Sequence, residues 1–334
     1  MKIVIDALGG DNAPLEILKG GWMAAQETGA EILFTGGKEQ LEKLIADNGF
    51  SHPGISVMDA PECISNDDTI HAIKEKKNSS LVVGLNLLRE GRADALISAG
   101  STGALITGAT LIAKRIRGIR RAALAPLIVT DKGPAMLIDA GANTDCPLEY
   151  YRDFAMMGSI YMERVRGIKS PKVGLVNVGT EESKGNDTLR AANELLKTLP
   201  VNYIGNLEAR EIPAGAADVI VCDGFTGNVI LKLMEGMGRM LNSNLKAIFM
   251  KNTRSKLAAV LANAGLRDFK KKMDYEEYGG APLLGIDSAV IKAHGSSNAK
   301  AIAIAVRQAI TFVDNKVNDE IKSYLKGDQE NASC

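Results

Sequence analysis

Six times along this chain a short apolar run ends in a polar residue and then a turn of small ones. The six are Asp6 before ALGGDNAP, Ser98 before AGSTGA, Asp139 before AGANTD, Asn177 before VGTEESKGN, Asp223 before GFTGN and Lys292 before AHGSSN. The runs KIVID (2–6), EILFT (31–35), DALIS (94–98), AMLID (135–139), VGLVN (173–177) and DVIVC (218–222) read as strands. Longer stretches between strands read as helices over 14–27, 38–48, 79–90, 102–114, 148–166, 187–198, 226–248 and 298–325, with Asn78, Ser79, Ser80 and Asn298 available as N-terminal caps. Strands alternating with helices build a parallel sheet covered on both faces, a three-layer α/β/α fold. Parallel strands present their carboxyl ends on one side, where ligands bind, so six such ends predict one shared cleft.

The chain has 334 residues, 46% of them hydrophobic, enough to bury a large core in one α/β domain over 1–325 or in two lobes around a central cleft. Residues 326–334 are polar and read as a frayed tail. Forty Lys plus Arg balance forty Asp plus Glu, so the totals give no electrostatic support for nucleic-acid binding. Cys63, Cys146, Cys222 and Cys334 are widely spaced with no CxxC pair, which fits a reducing cytoplasm better than a disulfide framework or zinc site. The opening MKIVIDALGG reads as a strand without a signal-peptide core, and no apolar run is long enough to span a bilayer. A protein neither exported nor threaded through a membrane is expected.

The turns suit an anion. Backbone N–H groups at a helix start are unpaired and lie at the positive end of the dipole, and small residues let an anion come close. SAGSTGA and DGFTGN both meet this description; Ser101, Thr102 and Thr226 add hydroxyls, and Lys184 adds a full charge. The GxxxxGK[ST] of a nucleotide loop and the GxGxxG of a dinucleotide site are both missing. In the first turn, Pro14 suits the start of a helix, and Asp11 would repel a phosphate and reads as an organiser of turns.

DALGGDNAP (6–14), KKNSS (76–80), SAGSTGAL (98–105), LVNVGTEESKGN (175–186), GNLEAR (205–210), CDGFTGNV (222–229) and IKAHGSSN (291–298) occur in this order. Together they resemble the PlsX family of phosphate acyltransferases, with Leu8 and Ser101 standing where Met and Asn are common. That resemblance implies transfer of a long-chain acyl group from acyl-acyl carrier protein to inorganic phosphate, giving acyl phosphate for phospholipid synthesis. It also implies a fold like that of phosphate acetyltransferases and of isocitrate or isopropylmalate dehydrogenases. A homodimer lying peripherally on the inner face of the cell membrane is implied too, with a helical segment at about 235–275 projecting from the core. Lys184 and Asn228 fall on the Lys of ESKGN and the Asn of GFTGN and become the catalytic candidates. Phosphate and substrate contacts are expected from Asp6, Gly10, Ser98, Gly100, Ser101, Thr102 and Gly103 in the first two turns. Asn143, Thr180, Asp223, Gly224, Thr226 and Gly227 complete the set in the middle of the chain, with Lys292 and His294 near its end.

Attack of phosphate on a thioester needs two reactants held together and donors for the developing oxyanion, but no enzyme nucleophile. Lys184 with the N–H groups of AGSTG and GFTGN would seat phosphate, and Asn228 or nearby backbone donors would hold the oxyanion. His294 fits phosphate contact or turn structure better than a general base, because phosphate is already anionic and a thiolate leaves readily. Cys222 reads as a small buried hydrophobe. With no HExxH, DxDxDG or Cys/His cluster, no metal and no cofactor are expected, and Asp6, Asp139 and Asp223 read as acceptors for backbone N–H groups. Two other readings stay open, a phosphate acetyltransferase using a coenzyme A thioester and a noncatalytic anion-binding protein.

An acidic carrier protein needs a basic patch. One candidate is Lys114, Arg115, Arg117, Arg120 and Arg121 in KRIRGIRR; the other is Lys251, Arg254, Lys256, Arg267 and Lys270 to Lys272. Within 254–273, Leu257, Val260, Leu261 and Leu266 are flanked by cations, a pattern suited to an amphipathic segment on anionic lipid or to a dimer contact.

Overall fold

A computed structural model describes residues 1–65, 67–69, 71–272 and 278–332; the side chains of Lys271, Lys272 and 328–332, like Cys334, lie outside the described residues. The strands are β1 (Lys2–Asp6), β2 (Glu31–Gly36), β3 (Ile55–Asp59), β4 (Ala95–Ser98), β5 (Ala123–Leu124), β6 (Leu127–Thr130), β7 (Gly133–Ile138), β8 (Lys172–Val176), β9 (Asn202–Leu207), β10 (Val219–Val221), β11 (Ala281–Leu284) and β12 (Ala289–Lys292). The helices are α1 (Leu15–Thr28), α2 (Lys38–Asp47), α3 (Ala72–Glu75), α4 (Ser80–Arg89), α5 (Thr102–Gly108), α6 (Leu148–Arg166), α7 (Asp187–Lys197), α8 (Gly224–Met250), α9 (Thr253–Leu261), α10 (Asn263–Lys272), α11 (Ala299–Asp314) and α12 (Val317–Ala332). Ser79 and Asn298 cap α4 and α11 through their side chains. The region read as one helix over 298–325 is two, because the backbone breaks after Asp314 and Lys316 takes a left-handed φ of 51°. Likewise 102–114 is α5 followed by a π-helical turn over Ala109–Ala113.

Two sheets carry the fold, ordered β3-β2-β1-β4-β12-β11-β5 and β6-β7-β10-β8-β9. Five adjacent strands are parallel in the first and four in the second, with antiparallel β11, β5 and β6 between them. Segment 123–130 stitches the sheets together. On one side Ala125 N–H donates to Pro282 O (3.0 Å); on the other Leu137 N–H donates to Pro126 O (3.0 Å) and Ala140 N–H to Leu124 O (2.8 Å). These successive antiparallel steps reverse chain direction across the seam, so the two parallel sets run opposite ways. The six strand ends, expected from sequence to point the same way, are therefore two groups of three.

Period-two alternation builds the layers. Ile3 and Ile5 of β1, Ile97 of β4, Met136 and Ile138 of β7 and Val219 and Val221 of β10 enter one core shared by both sheets and by α1, α6 and α11. Val4 and Leu96 point instead into a second core under α4 and α5, and Leu137 and Ile220 into a third under α8. From Gly236 to Lys270 no residue is buried, so the distal half of α8, with α9 and the start of α10, stands off these cores.

α8 lies against the strand end of β7 so closely that only hydrogen fits at one position. A Cβ on Gly227 would stand 1.9 Å from Asp139 O and 2.9 Å from Cys222 Sγ. Gly227→Ala is expected to cost on the order of 3 kcal/mol, read as a lower urea midpoint. Gly236→Ala on the same helix, where a Cβ meets nothing within 4 Å, should cost nothing; equal behaviour of the two variants would refute the contact.

Candidate functional site

Adjacent parallel strands β1, β4 and β12 end in Asp6, Ser98 and Lys292, and their turns form one surface. Asp11 N–H donates to Gly295 O (2.8 Å) and Asn12 Nδ2 to Ser296 O (3.0 Å), tying the turn after β1 to that after β12. Gly10 makes this possible with a φ of +105°. Gly9 meets Gly100, where a Cβ would lie 2.7 Å from Gly100 N. Asp6 is buried and accepts from Ser80 Oγ (2.5 Å), Ser98 Oγ (2.7 Å) and Leu8 N–H (3.3 Å). Burial pushes its carboxyl above the ordinary range, and these hydrogen bonds work against the shift. Lys292 is also buried; its Nζ donates to Ala99 O (3.2 Å) and Ala293 O, so the ammonium is spent on carbonyls inside the turn. Burial lowers its pKa to about 8, opposed by the charge of Asp6.

His294 is half-buried, and its Nδ1 accepts the Ser296 N–H at 3.2 Å with Ser296 Oγ at 2.8 Å. Burial depresses its pKa. An Nδ1 that accepts leaves the neutral ring its proton on Nε2, which agrees with a residue holding its own turn. At the end of β4, Ser101 caps α5, and Gly100 N–H is taken by Ser98 Oγ (3.1 Å). The N–H groups of Thr102 and Gly103, the latter exposed, carry no hydrogen bond among the described residues.

The second group lies at the ends of β7, β10 and β8. Asp139 is fully buried and accepts from the N–H groups of Leu124 (3.0 Å), Gly141 (3.2 Å), Ala142 (3.0 Å) and Asn143 (2.6 Å). Burial raises its pKa, with those bonds opposing. Asn143 Nδ2 is committed to Ala122 O (2.8 Å) and Asp139 (2.9 Å), while its carbonyl accepts Gly224 N–H (2.7 Å). Asp223 caps α8, taking Thr226 N–H and Thr226 Oγ1–H, both at 2.8 Å. Gly227 N–H goes to Asp223 O. Among the described residues only Phe225 keeps an unbonded N–H in this first turn, so the anion-seating role expected of GFTGN narrows to one donor.

Asn228 is exposed beside Gly141, whose Cβ position is 3.7 Å from Asn228 Oδ1. On the loop after β8, the strand next to β10, Asn177 Nδ2 donates to Lys184 O (3.2 Å) and Asn206 Nδ2 to Glu181 O (3.0 Å). Thr180 and Lys184 are exposed on that loop, and Lys184 forms no ion pair among the described residues.

α8 joins the groups. Asn228, Lys232 and Glu235 stand at i, i+4 and i+7, on one helical face. Glu235 is buried and pairs with Lys232 at 3.0 Å; the charges of both are felt at His294, and that of Lys232 at Lys292. The Asn228 face thus turns toward the turn after β12. Two further cavities, of about 560 Å3 beside Arg115–Arg121 and about 150 Å3 beside Lys132 and Arg166, include neither Lys184 nor Asn228. Sequence reading missed Ser80, Lys232 and Glu235. The i, i+4, i+7 spacing from Asn228 could have found the last two; Ser80 lies 74 residues from Asp6 and only the fold brings them together. Of the docking candidates, Arg115, Arg117 and Arg121 are exposed on the loop before β5, and Lys251 and Arg254 on the distal helical segment, where Lys271 has its backbone in α10.

The family model described as fatty acid synthesis protein matches residues 1–320. A phosphate acyltransferase of Alkaliphilus oremlandii (strain OhILAs) is 51% identical over 99% of each chain. A phosphotransacetylase from Streptococcus pyogenes superposes with a TM-score of 0.66 at 18% identity, covering 95% of this chain and 94% of its own. A 4-hydroxythreonine-4-phosphate dehydrogenase, described as putative, from Salmonella typhimurium gives 0.51 at 16%, covering 93% and 98%. The last two likenesses concern the fold alone and agree with the acetyltransferase-like and dehydrogenase-like architecture expected from sequence.

The buried ammonium makes a pH prediction. An ordinary lysine titrates at 10.5, folded Lys292 at about 8. Between those values the unfolded chain holds a proton that the folded chain has released, so this group adds stability as pH rises, on the order of 3 kcal/mol across the window. Urea unfolding at several pH values should show wild type gaining on Lys292→Met by this amount; a constant difference would sink the assignment.

Proposed function

The chain belongs to the PlsX family of phosphate acyltransferases, and from that premise we propose that it moves a long-chain acyl group from acyl-acyl carrier protein to inorganic phosphate. A phosphate oxygen attacks the thioester carbonyl, the tetrahedral intermediate expels the carrier thiolate, and acyl phosphate leaves. Lys184, an exposed cation without an ion-pair partner among the described residues, offsets the charge of phosphate. The open N–H groups of Thr102, Gly103 and Phe225 are its further donors, and the Asn228 amide holds the oxyanion. Identity to phosphate acyltransferases along essentially the whole chain carries the reading. The fold shared with a phosphotransacetylase keeps a coenzyme A thioester as the second reading for the donor.

Supplying palmitoyl-acyl carrier protein, acetyl-coenzyme A and phosphate in separate combinations tests the donor: acyl phosphate should form from the carrier-protein thioester and not from acetyl-coenzyme A. Asn228→Ala should lower kcat by roughly 100- to 1,000-fold, the loss typical of one oxyanion donor. Lys184→Ala should raise KM for phosphate. Near-normal turnover of Asn228→Ala would remove its role.

Peripheral attachment at the cytoplasmic membrane face and a homodimer form part of the same proposal. Phe225, Val229, Leu233 and Met237 make an exposed i, i+4 row on α8, and Leu257, Val260 and Leu261 are 62%, 70% and 82% exposed on α9. Among the described residues no helix is long and apolar enough to cross a membrane, and an apolar row flanked by Lys251, Arg254 and Lys256 suits anionic lipid or a second copy. In flotation with anionic liposomes the protein should rise with the vesicles and the Leu257→Glu/Leu261→Glu variant should stay behind; flotation unchanged by the two substitutions would argue against a lipid contact at α9.

A further inference from the structure

Arg115, Arg120 and Arg121 line one side of an open groove of about 560 Å3, and Pro147, Glu149 and Tyr150 line the other. Glu149 is the one carboxylate among the lining residues and stands 4.0 Å from Arg120, which leaves the groove positive. Arg115 and Arg117 have no ion-pair partner among the described residues.

The loop that carries these cations is rigidly built. Its pattern KR-I-RG-I-RR turns Ile116 and Ile119 into the core and the arginines outward. Ile116 N–H donates to Gly285 O and Asp287 N–H to Lys114 O, both at 2.9 Å. Arg120 N–H donates to Asp153 Oδ2 at 3.2 Å. Asp153 is buried on α6, its other oxygen held by Arg152 at 2.9 Å. Arg121 Nε donates to Tyr150 Oη at 3.2 Å. A backbone braced in this way has less entropy to lose on meeting an anionic partner than a free segment carrying the same cations.

The loop that carries the arginines is also tied to the candidate site by hydrogen bonds. Ala122, next to Arg121, accepts from Asn143 Nδ2, and the carbonyl of Asn143 accepts the first N–H of α8, four residues before Asn228. By contrast, the basic residues of the distal α8–α10 segment are set among exposed leucines and valine and rest on no buried residue from Gly236 to Lys270.

We propose that the Arg115–Arg121 groove is the docking seat of an acidic carrier protein, which enters here and passes its thioester arm along the Asn143 turn toward α8. This rests on the donor reading above and assigns it one of two basic surfaces. Rim charges act mainly on encounter rate and on salt dependence, so the seat should govern affinity and leave chemistry alone.

The test uses the full chain as Arg115→Glu/Arg121→Glu, with Lys251→Glu/Arg254→Glu for comparison. Fluorescence anisotropy reads binding of labelled holo-acyl carrier protein at low and physiological salt, and steady-state kinetics follow palmitoyl-acyl carrier protein and a palmitoyl N-acetylcysteamine thioester. The groove variant should bind at least about tenfold more weakly, with a flatter salt dependence and a matching rise in KM at unchanged kcat. It should use the small thioester as wild type does, which also shows that it is folded. The distal variant should stay within about twofold of wild type. Unchanged affinity in the groove variant, or loss in the distal variant alone, overturns the proposal. So does loss of small-thioester turnover with carrier-protein affinity intact, since the arginines would then serve the chemistry and not the docking. A wild-type protein that neither binds nor uses the carrier protein removes the donor reading and the seat with it. Normal use of the carrier protein by wild type and groove variant alike removes the seat only.

Discussion

The Asp139 carboxylate accepts four backbone N–H groups in a place where no water reaches, and the joining of the two sheets depends on that arrangement. One of the four, Leu124, belongs to the segment that stitches the sheets; the other three shape the turn that receives α8. An isolated buried carboxylate costs far more than a fold can spare, and charge-assisted bonds to N–H dipoles are what keep it in place. Asn143 extends the arrangement, reaching Ala122 on one side and Gly224 on the other. Because α8 begins on this turn and Gly227 leaves no gap beneath it, the direction of a 27-residue helix is fixed at its root.

That helix then serves different neighbours with different faces. Gly227, Ile230, Leu231 and Met234 pack on the second sheet. Asn228, Lys232 and Glu235 look across at the turn after β12. Phe225, Val229, Leu233 and Met237 face outward, where a soluble protein without a partner would expose polar groups. Three stripes on one cylinder follow from the 3.6-residue period, and they make α8 the physical link between sheet ends that run in opposite directions.

Much of this was legible in the chain. β1, β4, β7, β8 and β10 announce themselves as apolar runs closed by a polar residue, and Ser79 and Asn298 are caps that short-range chemistry alone explains. β5 and β6 were not legible. ALAPLIVT carries a proline at the crossing and spends its hydrogen bonds on residues far along the chain, so no local period marks it as the seam. Nor was the reversal of direction, which arises from pairings of 123–130 with 133–137 and with 282–284 that periodicity does not encode. The same limit applies at the site. Gly-rich turns advertise open N–H groups, but which of them are already taken, by Ser98, Asp223 or Asn143, is decided by side chains arriving from elsewhere.

Three of the six strand ends are aspartates, an odd choice for turns proposed to seat a phosphate until their bonds are followed. Asp6 is held by two hydroxyls and a backbone N–H, Asp139 by four backbone N–H groups, and Asp223 by the cap of α8. Each points its charge into a turn instead of into solvent, and for Asp6 and Asp139 burial also raises the cost of being ionised at all. Lys292 cannot supply the missing positive charge, since its ammonium is turned inward onto carbonyls. On the proposed reading, what remains to attract phosphate is Lys184 on its braced loop, together with the few N–H groups the aspartates leave open. The carboxylates therefore build the turns, while attraction is left to a cation held up to solvent.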